Sequence, residues 1–188
     1  MPNEIKNNLA GSDKLRELVL YICAASEGDE AFGSVKLNKL LFYSDFLFYI
    51  RHGVAITGQE YQKLPQGPAP RLMLPLLKEM QAKSQLAMAE RDYYGLSQKK
   101  PLALREANLN LFTVQEIATI NQVLRNFKGH TGMDISEQSH NFIGWQLAEE
   151  GETIPYSSAL LHKRQLSAQE EQWAQELDLT GVAELLRA

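Results

Sequence analysis

One segment of this chain, from Ser34 to Gly53, is apolar on almost every side of the helix that its spacing predicts. Ser34 can cap the start of that helix, and Gly53 stands where a left-handed residue commonly ends one. The apolar residues cover one side with leucines and other sides with larger groups: Leu37, Leu40, Leu41, Leu47, then Phe42, Phe46, Tyr49 and Ile50. Such a helix is usually the central one of its domain, so the rest of the chain has to pack around it.

Four polar residues interrupt this helix, namely Lys36, Lys39, Asp45 and Arg51. The simpler interpretation is that they mark the strip of the helix that faces solvent. The alternative is that some of them face a binding partner. The sequence leaves both interpretations open.

The segments on either side of the central helix are predicted from local signals. Residues 1–11 are polar and indicate a flexible lead-in, after which Ser12 or Asp13 can cap a first helix with one apolar stripe. Prolines and glycines exclude a helix interior between 56 and 70, and a short strand fits at 61–64.

A β-hairpin and further helices complete the prediction. Pro70 and Pro75 suit the first turns of short helices, and residues 85–105 alternate as two strands around a turn at 94–97. The helical starts that follow are capping boxes at 113–116 and 167–170, with a short helix predicted over 136–148 between them. The fold class is therefore mainly α with a small antiparallel β-sheet or hairpin, an α+β arrangement.

The formal charge of −4 is unevenly distributed along the 188 residues. Residues 35–105 hold 11 basic and 5 acidic side chains, whereas residues 106–188 hold 5 basic and 12 acidic ones. A basic middle and an acidic end are compatible with a nucleic-acid face, a protein partner, or two halves that attract each other. The chain shows neither a signal-peptide pattern nor an apolar stretch long enough for a membrane span, so we expect a cytoplasmic protein.

Motifs for catalysis are missing from the sequence. The single cysteine, Cys23, lies on an apolar stripe where a thiolate is disfavoured, and the four histidines do not have zinc-ligand spacing. Phosphate-binding glycine loops and the GxSxG nucleophile motif do not occur. We therefore expect neither an enzyme nor a cofactor. His140 is interpreted as a buried histidine whose ring N–H bonds a backbone carbonyl, with a partner contact as the alternative.

Five short motifs resemble, in order, those of the Panacea domain, the SocA-like antitoxin family. They are KLNKLLFY at 36–43, HG at 52–53 followed by ITGQEY at 56–61, GPAP at 67–70, SH at 139–140 with Trp145, and IPY at 154–156. The resemblance covers roughly residues 12–161. It implies one compact domain over that range. Outside the matching range, the capping box at 167–170 and the acidic residues after it predict that 162–188 form an acidic helical extension packed on or beside the domain.

The resemblance implies an antitoxin that neutralises a cognate protein toxin by direct contact. Binding of that kind needs a surface with a few aromatic or arginine anchors. The candidates for partner contact are Lys36, Lys39, Tyr43, Arg51, Tyr61, Arg71 and Tyr94. The residues expected to define the fold are Gly53, Gly67, Pro68, Ser139, His140 and Trp145.

Two other functions stay open at this point. The chain could be a DNA-binding transcriptional regulator that uses the basic hairpin and a helix in a winged-helix manner, although its net negative charge opposes this. It could also be an adaptor that delivers a partner to a protease. Homo-oligomers are possible as well. We favour the basic middle as a protein-facing surface, balanced in part by the acidic C-terminal residues.

Overall fold

The computed structural model describes residues 2–93 and 95–161. The helices in this range are α1 (Pro2–Ala25), α2 (Ser34–His52), α3 (Met73–Ala82), α4 (Val114–Asn126), α5 (Gly132–His140) and α6 (Ile143–Leu147). The strands are β1 (Tyr61–Gln62), β2 (Ala69–Pro70), β3 (Leu86–Tyr93), β4 (Leu96–Ala103) and β5 (Thr153–Ile154). Two 3₁₀ turns lie at Leu109–Leu111 and Tyr156–Leu160. The predicted fold class, mainly helical with small antiparallel sheets, is confirmed.

Helix α2 is the centre of the fold, as its apolar surface predicts. It packs against α1, α4, α5, both sheets and the second 3₁₀ turn. A cluster of aromatic rings fills the space beside it: Phe42, Phe46, Tyr61, Phe142 and Tyr156. Gly53 ends the helix with φ 72°, and its N–H donates to the Tyr49 carbonyl at 2.8 Å. The predicted left-handed stop is confirmed.

The strands form two small sheets. One joins segments that are distant in sequence, and the other is a β-hairpin. In the first, β1 lies between β2 and β5, with Tyr61 opposite both Pro70 and Ile154. In the second, β3 and β4 pair from Leu86–Ala103 to Tyr93–Leu96. The predicted hairpin is confirmed, with a shorter turn than expected because Leu96 already belongs to β4.

The start of the chain differs from our prediction. Helix α1 begins at Pro2, whereas the sequence predicts a flexible lead-in over residues 1–11 and a cap at Ser12 or Asp13. Proline is well suited to the first position of a helix because its missing N–H would have no helical partner there. Similarly, the residue in the capping position of α2 is Gly33, and Ser34 Oγ instead donates to the Lys99 carbonyl at 3.0 Å.

The helix predicted over 136–148 is two helices. Helix α5 starts at Gly132, behind a capping box formed by Thr131 and Asp134, and ends at His140. Phe142 is extended, with ψ 124°, and its ring packs edge-on against Phe42 and Phe46 of α2. Packing of this half-buried ring on α2 explains the break, since a continuous helix would turn the Phe142 side chain in a different direction.

One of the two proline predictions needs adjustment. Pro70 belongs to strand β2 and does not start a helix, while Pro75 lies in the first turn of α3, as expected. The capping box of Thr113 and Glu116 is confirmed at the start of α4. The second predicted box, at 167–170, lies outside the described residues. Within the described ranges, no helix is long and apolar enough to cross a membrane.

Candidate functional site

The turn that contains Gly67 and Pro68 lies directly on two helices. Gly67 has φ +85°, a conformation that residues with a side chain rarely adopt. A Cβ placed on it would overlap the Ser139 hydroxyl of α5 and lie 2.7 Å from Lys39 Cε of α2. Glycine is therefore required here both for the backbone conformation and for the close approach of the turn.

Lys39 lies beneath this turn and is only 1% exposed. Its Nζ donates to the Pro68 carbonyl at 3.0 Å. No carboxylate pairs with it among the residues that the structure describes. Burial of the amine lowers the pKa of Lys39 to about 7. The two helices and the turn thus enclose an amine that changes its charge near neutral pH.

Helices α5 and α6 hold the same turn through hydrogen bonds to its backbone. Ser136 Oγ donates to the Gln66 carbonyl at 2.5 Å. Trp145 Nε1 donates to the Leu64 carbonyl at 3.4 Å. We call residues 64–68, together with Lys39, Ser136, Ser139 and Trp145, the turn clasp.

His140 and Lys63 both pack on the Trp145 indole. The His140 ring stacks on it at a centroid distance of 4.1 Å and an angle of 18°. Lys63 Nζ lies 4.2 Å from the indole centroid and donates to the Ala148 carbonyl at 2.9 Å. His140 is half-buried and not fully buried as predicted. No hydrogen bond joins its ring to a carbonyl among the described residues, and its buried Nε2 has no partner there. Stacking fixes this histidine instead.

A second polar cluster surrounds the fully buried carboxylate of Asp45. Asp45 Oδ1 accepts from the Thr57 N–H at 2.7 Å, and Oδ2 accepts from the Thr57 and Tyr61 hydroxyls at 2.5 and 2.8 Å. Burial raises the pKa of Asp45, and these hydrogen bonds oppose that rise. The cluster ties the 56–61 segment to α2.

Three of the proposed partner-binding residues are internal. Lys36 is 1% exposed, pairs with Asp29 at 2.6 Å and donates to the His130 carbonyl at 2.7 Å. Tyr61 is fully buried beside Asp45, and Lys39 lies in the turn clasp. These three residues therefore have a structural role and do not form a partner surface. Lys36, Lys39 and Asp45 also do not form the solvent-facing strip of the helix that the simpler interpretation predicted, since all three are buried.

The remaining candidates lie nearer the surface. Arg51 is exposed at the end of α2 and donates to Gln122 Oε1 at 2.9 Å. Tyr43 is half-buried with its ring on Phe127, and burial raises the pKa of its hydroxyl to about 12. Tyr94 lies outside the described residues.

Arg71 is the exposed candidate with the most contacts. Its guanidinium donates to the Gly151 carbonyl and to the Thr153 hydroxyl, both at 3.0 Å. It also lies 3.4 Å from the Glu60 carboxylate. These partners are on the rim of the small sheet, so the charged end of Arg71 stays in solvent.

The basic middle of the chain is largely used within the fold. Besides the three lysines already placed, Lys100 donates to the Glu27 carbonyl and Arg105 pairs with Glu17. The ion pairs of this segment in the described ranges go to Glu17, Asp29, Glu60 and Glu79, and not to the acidic end. The balance with the acidic end that we expected is not seen among the described residues.

The Cys23 thiol is buried, as its apolar neighbours predict. Burial raises its pKa to about 12, which disfavours the thiolate that nucleophilic catalysis requires.

The residues missed by sequence reasoning are Asp45, Lys63 and Ser136 as parts of these clusters. One signal in the sequence could have indicated the buried carboxylate: Asp45 is a charged residue among the aromatic residues of α2.

A family model described as antitoxin SocA-like, Panacea domain, matches residues 37–146, which is more than half of the chain. The chain belongs to this family of Panacea domains. The matched range contains the Gly-Pro turn and all the α5 and α6 residues of the turn clasp. Searches of curated proteins and of solved structures gave no match. Membership indicates an antitoxin-like role for this Panacea domain.

Gly67→Ala should destabilise the Panacea domain strongly, because it adds a steric overlap with the Ser139 hydroxyl and Lys39 to the strain of a positive φ. We expect a loss of about 3 kcal/mol in the free energy of unfolding, measured by urea denaturation. Gly58→Ala is the matched control, since Gly58 has φ +64° and nothing within 4 Å of a Cβ. Equal losses in the two variants would contradict the close packing of the turn.

Lys39→Met should stabilise the domain at neutral pH and remove part of its pH dependence. The pKa of Lys39 is lower in the folded chain than the usual 10.5, so folding disfavours the charged amine. The wild type should therefore gain stability as the pH rises from about 7 to about 10, and the variant should lack this gain. Denaturation curves across this range, with the exposed Lys78→Met as control, measure the difference. If stability depends on pH in the same way in the wild type and in both variants, Lys39 is not a buried, unpaired amine.

Proposed function

We propose that this chain is an antitoxin that neutralises a cognate protein toxin by direct protein–protein binding in the cytoplasm. The observation that carries the proposal is the match of residues 37–146 to the SocA-like antitoxin family. The family motifs themselves lie inside the fold. Gly67, Ser139 and Lys39 contact one another inside the fold, and Asp45 and Tyr61 are fully buried. The motifs therefore build a scaffold, and recognition falls to the exposed residues around it.

A surface suited to binding lies at the start of α3. Arg71 is exposed beside Leu72 and Leu74, which are 42% and 74% exposed. Arginine is enriched among the residues that dominate binding energy, and exposed leucines gain free energy when a partner covers them. Arg71 with these leucines is our candidate for one contact region of the toxin interface.

The DNA-binding alternative gains no support from the placement of the basic residues. A protein that binds DNA presents lysines and arginines together on an exposed face. Here Lys36 and Lys39 are buried, and Lys63, Lys100 and Arg105 donate to groups of the protein itself. We further propose that residues 12–161 form the binding domain and that 162–188 are an extension of it.

Co-expression with the product of the adjacent gene tests the antitoxin proposal. The neighbouring product should stop growth when expressed alone, and growth should return when this chain is expressed with it. The two proteins should then co-purify as a complex. A harmless neighbour, or a toxic one that forms no complex with this chain, would refute the proposal.

Arg71→Glu should weaken the toxin complex by tenfold or more while the melting temperature changes little. Reversal of charge removes an arginine anchor, whereas an exposed ion pair such as that with Glu60 contributes only about 0–1 kcal/mol to stability. Calorimetric titration and thermal unfolding measure the two effects. Lys78→Glu, a charge reversal on the exposed side of α3, is the control. Unchanged affinity for Arg71→Glu would remove this residue from the interface.

A further inference from the structure

The β3–β4 hairpin has two edges, and the hydrogen-bond register shows which backbone groups lie on them. The Leu104 N–H donates to the Gln85 carbonyl at 2.9 Å, so Gln85 and Leu104 form a hydrogen-bonded pair. Such pairs alternate along an antiparallel ladder with pairs whose backbone groups point outwards. The outward positions of β3 that follow Leu86 are therefore Met88, Glu90 and Asp92.

The outer edge of β4 is closed by the fold. Its outward positions include Lys99 and Pro101, which lie opposite Glu90 and Met88. The Lys99 carbonyl accepts a hydrogen bond from Ser34 Oγ at 3.0 Å, which independently confirms that it points outwards. Pro101 has no N–H to offer, and β4 packs on α1 and α2. An additional strand cannot pair with this edge.

Among the described residues, nothing pairs with the outer edge of β3. The backbone N–H and C=O groups of Met88, Glu90 and Asp92 have no hydrogen-bond partner among the described residues. Strand β3 contains no proline and no lysine, the residues that commonly block an edge. Glu90 and Asp92 are exposed, so solvent reaches this end of the strand.

The geometry points to the open edge of β3 as the docking site for an extended strand of the toxin, with lysine or arginine facing Glu90 and Asp92. This inference rests on the proposed antitoxin function and specifies how the partner is held. Outward N–H and C=O groups with the two-residue period of a strand pair fully only with another strand. The two carboxylates add a preference for a basic strand.

A second copy of this chain fits the same edge less well. Antiparallel pairing of two β3 strands would bring Glu90 and Asp92 of one copy beside the acidic residues of the other. Like charges at neighbouring positions across a sheet are destabilising. The charge of this edge therefore favours a basic strand from a different protein.

Glu90→Pro tests the edge, because it removes an outward N–H and leaves the hydrogen bonds between β3 and β4 in place. We expect the affinity for the product of the adjacent gene to fall about tenfold or more, as measured by calorimetric titration. Lys99→Pro is the matched control, since it removes an outward N–H from the closed edge directly opposite. Circular dichroism melting curves establish that both variants fold.

A second variant covers the case in which Glu90→Pro does not fold. Glu90→Lys combined with Asp92→Lys keeps the backbone and reverses the charge of the edge. Its affinity for the same protein should also fall about tenfold, and the loss should shrink at high salt.

Amide hydrogen exchange locates the contact directly. The amides of Met88, Glu90 and Asp92 should exchange fast in the free chain and slowly in the complex, whereas those of Ala89 and Arg91 should be protected in both. Protection elsewhere, with these three amides unchanged, would overturn the inference while the antitoxin function stands. Protection that grows with the concentration of the free chain would assign the edge to a second copy. Failure of the wild type to bind the neighbouring product would overturn the antitoxin function and this assignment with it.

Discussion

The packing of a glycine turn against two helices determines how the parts of this domain fit together. Gly67 allows the turn to approach α2 and α5 more closely than any residue with a Cβ could. At that distance Ser136 and Trp145 reach the backbone of the turn, and Lys39 reaches the Pro68 carbonyl. A loop, the central helix, α5 and α6 therefore share one contact, although they are far apart in the chain.

Buried polar groups give this fold its specific arrangement. Asp45 binds two residues of the 56–61 segment, and Tyr156 donates to the Gln59 carbonyl of the same segment at 2.7 Å. Apolar contacts alone would tolerate a shift of this segment along α2. Directional hydrogen bonds to a fully buried carboxylate do not tolerate it, since a shift would leave charge without partners.

Local signals were sufficient for much of the fold. The apolar surface of α2, the stop at Gly53, the alternating hairpin and the capping box at Thr113 are each decided by residues close in sequence. The break between α5 and α6 depends on a pocket for Phe142 between Phe42 and Phe46, and no local pattern contains that pocket. Likewise, the acceptor of Lys39 lies 29 residues away, so the burial of this lysine could not be inferred from its helix.

The unequal edges of the hairpin have a consequence for the free protein in the cell. An unpaired strand edge is a template for pairing with other chains and for aggregation. Glu90 and Asp92 act as gatekeepers, because their charge keeps other copies away. The repulsion that these two charges provide weakens as the salt concentration rises. The closure of the β4 edge by Ser34 and Pro101 does not depend on salt. With the edge open as we propose, ionic strength therefore sets how strongly free copies of this domain repel one another at β3.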